Sequence, residues 1–389
     1  MDNLTTSNFQ SARDFFNETV SRNDLYFSLA LLYAAIGYFC YNRFWNKPAS
    51  TRTEKFSDKL QVTASVSLDR CDLANIKVTK LLIHPIKSCR GTSVQEARYT
   101  EEGLEHDRKL AIIDAHTHKV LTAREYPRMV LIYPRIDLDK GDQFQGIHIS
   151  FPADSGCEPF TVPLNPSNEI LQTWKKVEDV ELWGRNDIDG YICQPVDAED
   201  HDAPTRMLSQ YFGKDVLLVF KGPRPRPAPP THDFPDLKAT TLYQDGYPLL
   251  VTSEESLKDV ESHLRGEVGN QGVADRWSSD NLVMERFRPN IVLGGAGVPW
   301  AEDTWETIRI GENSSTITLV SKCTRCLLPN VDPETGVRDK AVPYKVLMQF
   351  RTGLNPQRPG KSCFGCNGVP DGRGVIRVGD SITVVKIIQ

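Results

Sequence analysis

The chain has 389 residues, 39% of them hydrophobic and 25% charged, with a formal net charge of −5. That length is enough for two or three domains with sizeable cores, and the faintly acidic balance excludes the broad basic face that a nucleic-acid partner needs. Its nine cysteines are odd in number and scattered, unlike the disulfide framework of a short secreted domain, so they read as reduced thiols in a cytosolic redox setting.

Residues 1–24 form a polar tail. The next eighteen residues, LYFSLALLYAAIGYFCYN from Leu25 to Asn42, carry no charged side chain. As a helix they span about 27 Å, close to the thickness of a hydrocarbon core. Tyr26, Tyr33, Tyr38, Tyr41 and Trp45 supply aromatics, several near the interfaces. A cleaved signal peptide would start closer to residue 1, behind a basic flank, and end in small residues. Here Asp14, Glu18 and Asp24 face only Arg13 and Arg22, and no A-x-A site follows. The stretch 25–42 is therefore expected to be a retained transmembrane anchor. Arg43, Lys47, Arg52 and Lys55 lie after it, which places the large C-terminal part in the cytosol. So short a span suits a thin membrane, the mitochondrial outer membrane or the endoplasmic reticulum. Residues 43–76 read as a linker.

From residue 77 short β-rich runs alternate with turn residues: VTKLLIHPI, RKLAIIDA, KVLTAR, MVLIYPRIDLD, HISFPA, FTVPL and VELWG. ILQTWKKVED predicts one short helix. This strand-rich domain occupies 77–200. In 201–389, APTRMLSQYFG predicts a helix ending at Gly213. KGPRPRPAPPTHDFP (221–235) predicts a loop whose basic residues form a solvated face. TLYQDGYPLLVTSEESLKDVESHLRG reads strand, turn, helix, with Ser253 as N-cap. FRPNIVLGG, WETIRIG, STITLVSKC and GVIRVGDSITVVKII predict strands, and PYKVLMQFRTG a helix. The fold class is mainly β with some α.

Two C-x-x-C pairs, Cys323/Cys326 and Cys363/Cys366, carry the most chemistry. Four thiolates can hold zinc, but thirty-odd residues between the pairs exceed the usual knuckle spacing. A thioredoxin-like role needs a helix after the pair, and LLPNVDP does not start one. Ordinary reduced cysteines remain open too. Arg325 lies beside Cys326, and a neighbouring guanidinium favours the thiolate, a soft metal ligand. Upstream, Lys87 and Ser88 before Gly91, with Arg90 and Arg108 nearby, can direct an ammonium, a hydroxyl and backbone amides at a phosphate. FRPN puts Arg288 and Asn290 on one side of a strand.

Taken in order, HPIKSCRG, GLEHDRKLAIID, LTAREYPRMVLI, FRPNIV and C-x-R-C-x5-DP-x-TG resemble the MOSC-domain molybdenum-cofactor proteins that carry a preceding MOSC N-terminal β-barrel domain. With the anchor, the chain is similar to the mitochondrial amidoxime-reducing components among them. The resemblance covers roughly residues 77–388. It implies a MOSC N-terminal β-barrel domain followed by a MOSC β-barrel domain, and a molybdenum cofactor of the molybdopterin type. It implies Cys326 as the metal ligand and catalytic residue, with Cys323 a neighbour. Lys87, Ser88 and Arg108 would hold the cofactor phosphate, and Arg288 and Asn290 the pterin side. Thr324 and Arg325 lie in the thiolate loop, and Asp245 and Ser253 match a segment near the cofactor. The implied reaction is reduction of N-hydroxylated compounds such as amidoximes and hydroxylamines. No G-x-G-x-x-G follows a strand, so electrons would come from NADH through cytochrome b5 reductase and cytochrome b5. The resemblance ranks the mitochondrial outer membrane ahead of the endoplasmic reticulum. The second C-x-x-C, the proline-rich loop at 221–235 and Pro329-Asn330 after the R-C pair depart from the family pattern. Two alternatives stand beside this reading: a non-catalytic cofactor or sulfur carrier, and a zinc-stabilised interaction module.

Overall fold

Most of the apolar β runs pair into one sheet of eight strands. Their order across the sheet is Thr92–Val94, Lys77–Ile83, Ile291–Gly294, Leu249–Ser253, Cys363–Pro370, Thr316–Thr324, Trp305–Ile310 and Ile382–Ile387. This arrangement comes from a computed structural model that describes residues 70–388 apart from 138–145, 197–199 and 313. The tail, the expected anchor at 25–42 and the linker up to residue 69 lie outside the described residues. Among the described residues, no helix is long and apolar enough to cross a membrane.

The sheet closes on itself. The N–H of Ile382 donates to the Ile76 carbonyl at 3.0 Å, and that of Val78 to the Asp380 carbonyl at 2.9 Å, so the last strand returns to the first. Closure leaves few free edges and encloses one core. Trp305, Tyr99, Leu81, Val251 and Ile291 are buried together inside it. Most neighbouring strands run antiparallel, but Leu249–Ser253 and Ile291–Gly294 are parallel. Parallel neighbours need a long crossover, usually a helix. The helix Glu254–Gly266 supplies it, capped by the Ser253 hydroxyl, which accepts from the Ser256 N–H at 3.2 Å.

A four-stranded sheet, ordered Leu110–Asp114, Val216–Lys221, Arg185–Ile192 and Lys176–Leu182, and the three-stranded meander Tyr133–Asp137, Gly146–Ser150, Phe160–Pro163 form the second body of strands. Ile112, Met129, Ile149, Leu164 and Leu218 share its main core. The protein is thus mainly β, with two barrel-like parts and few helices. The parts interlace: Lys77–Ile83 belongs to the large sheet, and Gly374–Arg377 near the C-terminus pairs with Glu96–Thr100.

Helices appear at Asn168–Thr173, Ala203–Phe212, Glu254–Gly266 and Tyr344–Phe350; the second ends on a left-handed Gly213, but the helix expected over ILQTWKKVED stops at Thr173 and its KVED half begins the strand Lys176–Leu182. Some runs resolve differently. MVL in MVLIYPRIDLD lies in a 3-10 turn, and the strand begins at Tyr133. KVLTAR makes only isolated bridges. FRPN is not strand: Arg288 is the left-handed cap of a 3-10 turn, and the strand starts at Ile291. The strand Cys363–Pro370 was not expected, because its cysteines and glycines lack a β signature. It is nevertheless central, lying between Leu249–Ser253 and Thr316–Thr324.

Gly365 explains how so poor a β sequence fits there. Its φ is +75°, and a Cβ at this position would lie 2.6 Å from the Val251 carbonyl oxygen and from Thr252 Cγ2. Both the backbone angle and the close approach require glycine. Gly365→Ala is expected to destabilise the fold by about 1–3 kcal/mol, read as a lower urea midpoint at unchanged slope.

Candidate functional site

A cavity of about 110 Å³ sits where the loops before and after several strands converge. Each contributes something the cavity needs. The loop after Lys77–Ile83 brings Lys87 and Ser88, and the loop before Leu110–Asp114 brings Arg108. The loop before Leu249–Ser253 brings Asp245, the turn before Ile291–Gly294 brings Arg288 and Asn290, and the end of Thr316–Thr324 brings Cys323 and Arg325. Lys87, Arg108, Arg288 and Arg325 face a single carboxylate, that of Asp245. Leu249, Leu250, Phe287 and Leu328 supply apolar wall.

The cations are held from the backbone side. Lys87 Nζ donates to the Tyr243 carbonyl at 2.8 Å and to Asp245 Oδ1 at 2.5 Å. Burial draws this ammonium down from its ordinary value to about 8, against the opposing pull of Asp245. Desolvation pulls the Asp245 carboxyl up, but Lys87, with Arg124 and Arg108, outweighs it and holds the group below the usual carboxylate range. Arg108 Nη1 donates to Asp107 at 2.6 Å and Nη2 to the Arg288 carbonyl at 3.2 Å. Asp107 is fully buried and also accepts the His84 N–H at 2.8 Å, so it fixes Arg108 to the loop after the first strand. Arg288 Nη1 donates to the Cys89 carbonyl at 2.6 Å. Burial first, and then Arg108, lowers the Arg288 guanidinium to about 9.

Ser88, Arg108 and Arg288 all have left-handed backbone, at φ 67°, 49° and 56°. Non-glycine residues rarely adopt that conformation, and where they do the surrounding structure must hold them. Three such residues line one small cavity, which marks it as a built site. Two guanidinium nitrogens, Arg288 Nη2 and Arg325 Nε, are buried without a partner. Buried orphan donors are uncommon, and here they await an acceptor.

A larger cleft of about 670 Å³ shares Asp245, Gly246, Tyr247, Cys323 and Asn367 with the cavity. Thr324 and Cys326 line this cleft. Cys326 is half-buried, and its Sγ accepts only a long 3.5 Å contact from the Leu328 N–H. Cys89 and Cys363, by contrast, are buried thiols that desolvation pushes up to about 12.

The structure therefore gathers Lys87, Ser88, Arg108, Asp245, Arg288, Asn290 and Arg325 at the cavity, and Thr324 and Cys326 at the adjoining cleft. Some details differ from the expectations. Arg325 bonds elsewhere than Cys326: its Nη1 donates to Cys323 Sγ at 3.2 Å and its Nη2 to the Phe287 carbonyl at 2.8 Å. Even so, burial leaves the Cys323 thiol raised, with Arg325 opposing. The Asn290 amide is engaged with backbone, accepting from the Leu250 N–H at 3.1 Å and donating to the Leu82 carbonyl at 3.3 Å. It clamps the strands beneath the cavity. Ser253 lines neither space. It is buried, capping its helix and donating to Glu302 at 2.8 Å. The four C-x-x-C thiols do not make a zinc centre: among the described residues, no group of three or more His, Cys, Asp or Glu could hold a metal ion.

Arg226 is the residue that sequence reasoning misplaced. Read as part of a solvated basic face, it is buried, and its guanidinium donates to the Leu242, Gln244 and Asp245 carbonyls at 2.7, 3.0 and 3.1 Å. It knots the loop that presents Asp245. Its only signal was position, an arginine between two prolines that keep the backbone extended. Gln244, Tyr247 and Asn367 gave no signal as cavity residues.

Two family models match this chain. The MOSC N-terminal beta barrel domain matches residues 75–215, and the MOSC domain residues 238–383. The chain belongs to the MOSC-domain family in its two-domain form. Within that family it is similar to the mitochondrial amidoxime-reducing components. It is 33% identical over 317 residues to component 1 of Mus musculus, covering 78% of this chain and 81% of the relative. It is 32% identical over 316 residues to component 1 of Homo sapiens, covering 78% and 82%. The molybdenum cofactor sulfurase of Arabidopsis thaliana is 28% identical over 282 residues, 70% of this chain and 31% of that protein. Among solved structures, the YUAD protein from Bacillus subtilis aligns over 79% of this chain and 94% of its own. Its 9% identity and TM-score of 0.30 are too slight to inform the site.

The charge at the cavity is adjustable by pH. Lys87 is cationic below about 8 and neutral above it. Affinity of the cofactor-free chain for sulfate, which does not titrate in this range, is expected to be full at pH 7 and to fall as pH rises through about 8. In Lys87→Met the affinity at pH 7 is lower and the step at about 8 disappears, leaving only the later loss near 9 that Arg288 adds, which a titration calorimetry series from pH 7 upward would separate.

Proposed function

We propose that the chain is a membrane-anchored molybdenum-cofactor oxidoreductase that reduces N-hydroxylated compounds, amidoximes and hydroxylamines among them. The overall change consumes two electrons and two protons, cleaves the N–O bond and releases the amidine or amine with water. The electrons come from NADH through cytochrome b5 reductase and cytochrome b5. The span at 25–42 anchors the chain with its catalytic part in the cytosol, on the mitochondrial outer membrane first and the endoplasmic reticulum second.

One observation carries this reading: four cations and two orphan guanidinium donors converge on a small cavity that opens beside an accessible thiol. A polyanionic cofactor answers all of it. Lys87, Ser88 and Arg108 would hold its phosphate, where cations and backbone donors meet. Arg288 and Arg325 would satisfy their free N–H groups on it, and Cys326 would ligate its metal as a soft thiolate. When bound, the cofactor supplies the two-electron redox chemistry. The chain's own residues bind, orient and shield. Leu249, Leu250, Phe287 and Leu328 exclude water from the cavity, which strengthens the charge contacts made there. Asp245 keeps Lys87 in place, and Asn290 holds the strands below.

The likeness to a cofactor sulfurase favours a second reading, a carrier that binds the cofactor without turnover. The deciding measurement uses the full chain expressed in a host that makes the cofactor. Wild type is expected to retain molybdenum near one equivalent and to support benzamidoxime-dependent NADH oxidation with cytochrome b5 and its reductase. Cys326→Ser is expected to lose at least about tenfold in molybdenum content or rate, the scale of a ligand-shell defect. Bound molybdenum without turnover in wild type would favour the carrier. Zinc in place of molybdenum would overturn both.

A further inference from the structure

The site described so far uses the inner end of the cleft, leaving the outer end without a role. The hairpin joining Lys176–Leu182 to Arg185–Ile192 turns through Trp183 and Gly184, both left-handed at φ 58° and 79°. That tight turn puts Trp183 at the tip, 46% exposed and lining the cleft. Its ring is covered on one side by the Arg124 guanidinium, 4.0 Å from the centroid, with Lys87 Nζ at 5.5 Å. Pro227, Pro229, Pro230 and Tyr247 add flat apolar surface to the same cleft.

The cations here differ in whether they are already engaged. Arg226 is bonded to backbone carbonyls, and Arg185 pairs with Asp187 at 2.8 Å. Arg124 and Arg358 also line the cleft, and among the described residues neither has a carboxylate partner. Asp245, the one carboxylate in the cleft, is already joined to Lys87. The outer cleft therefore offers a flat aromatic wall and two unpaired guanidiniums, in a space of ordinary small-ligand size. Guanidinium recognises carboxylate and phosphate, and an indole face recognises planar rings.

We propose that the outer cleft is a substrate subsite selecting planar aromatic N-hydroxylated compounds that carry an anionic group, with Trp183 stacking the ring and Arg124 and Arg358 receiving the anion. This rests on the reductase reading and names the substrate class it prefers. Cationic substrates meet repulsion at the same place.

The test compares benzamidoxime with 4-carboxybenzamidoxime on the holoenzyme with its electron donors. The anionic compound is expected to have a kcat/KM about two- to fivefold higher, the scale of one exposed charge pair, and the ratio should shrink as salt rises. In Arg124→Gln/Arg358→Gln the ratio falls toward one. In Trp183→Ala the KM of both compounds rises by a larger factor than kcat falls. Titration calorimetry of the two compounds on the holoenzyme gives a readout without turnover. Preferred binding of the anion with no reduction of either compound would sink the reductase reading and leave the subsite standing. Reduction of both with a ratio near one in wild type would overturn the subsite and leave the reductase. A ratio unmoved by the double variant, with a raised KM for cytochrome b5, would assign these cations to an acidic protein partner instead and overturn the proposal.

Discussion

Everything at the site follows from one electrostatic problem, that of keeping four cations around one small cavity with two carboxylates, Asp245 on Lys87 and the buried Asp107 on Arg108. Two like unit charges 4 Å apart repel by about 1 kcal/mol in water and about 4 kcal/mol at an effective dielectric of 20. A few such pairs would rival the whole net stability of a domain, about 5–15 kcal/mol. Burial is the first reason that Lys87 is drawn down to about 8 and Arg288 to about 9, and Arg108 adds to it in both. The fold tolerates this because each cation is fastened to backbone carbonyls or to a buried carboxylate. Lys87 sits on Tyr243, Arg108 on Asp107 and the Arg288 carbonyl, and Arg288 on Cys89. An anion arriving in the cavity relieves the repulsion that the fold maintains.

That fastening explains the connectivity. The carbonyls and carboxylates that hold the cations come from segments near 84–89, 107–108, 243–245 and 288, far apart in sequence. Pairing of Lys77–Ile83 with Ile291–Gly294, and of Ile291–Gly294 with Leu249–Ser253, side by side in the large sheet brings these segments together. Asn290 then ties Leu82 to Leu250 directly below the cavity, and Arg226 draws the 242–245 carbonyls around itself. The left-handed backbone at Ser88, Arg108 and Arg288 is the local consequence. Each must turn sharply to aim a polar group inward while its own carbonyl or amide stays in the network.

How much of this was legible follows from what a linear pattern can carry. Helices with caps and facing apolar residues were readable, because their signals lie within a turn or two of each other: Ser253 to Ser256, or Met207 and Leu208 ahead of Gly213. Strands such as Thr316–Thr324 were readable from β-branched runs. Cys363–Pro370 was not, because its place at the centre of the sheet depends on Gly365 fitting against Val251, a contact across more than a hundred residues. At the site, the ionisable residues Lys87, Arg108, Asp245 and Cys326 stood out by type and order. Their second contacts did not. Arg325 reaches Cys323 and not Cys326, Ser253 serves its helix, and Arg226 is a buried knot. Side-chain direction across a closed sheet is set by packing, and adjacency in sequence says little about it.

The two thiols at the cleft illustrate how that direction divides labour. Cys323 ends a strand, lines both spaces and takes the only guanidinium within reach, yet desolvation still holds its proton. Cys326 lies three residues on, past the strand's last residue, half-buried and with a single long contact to its sulfur. A sulfur that bonds to a metal needs an unencumbered lone pair, and of the two Cys326 is the one without a guanidinium contact. The Arg325–Cys323 contact then acts as a brace. It pins the guanidinium between Cys323 and the Phe287 carbonyl, leaving Nε buried without a partner. The two thiols are alike in being half-buried and differ in their contacts: Cys323 takes the Arg325 guanidinium, and Cys326 only the Leu328 N–H.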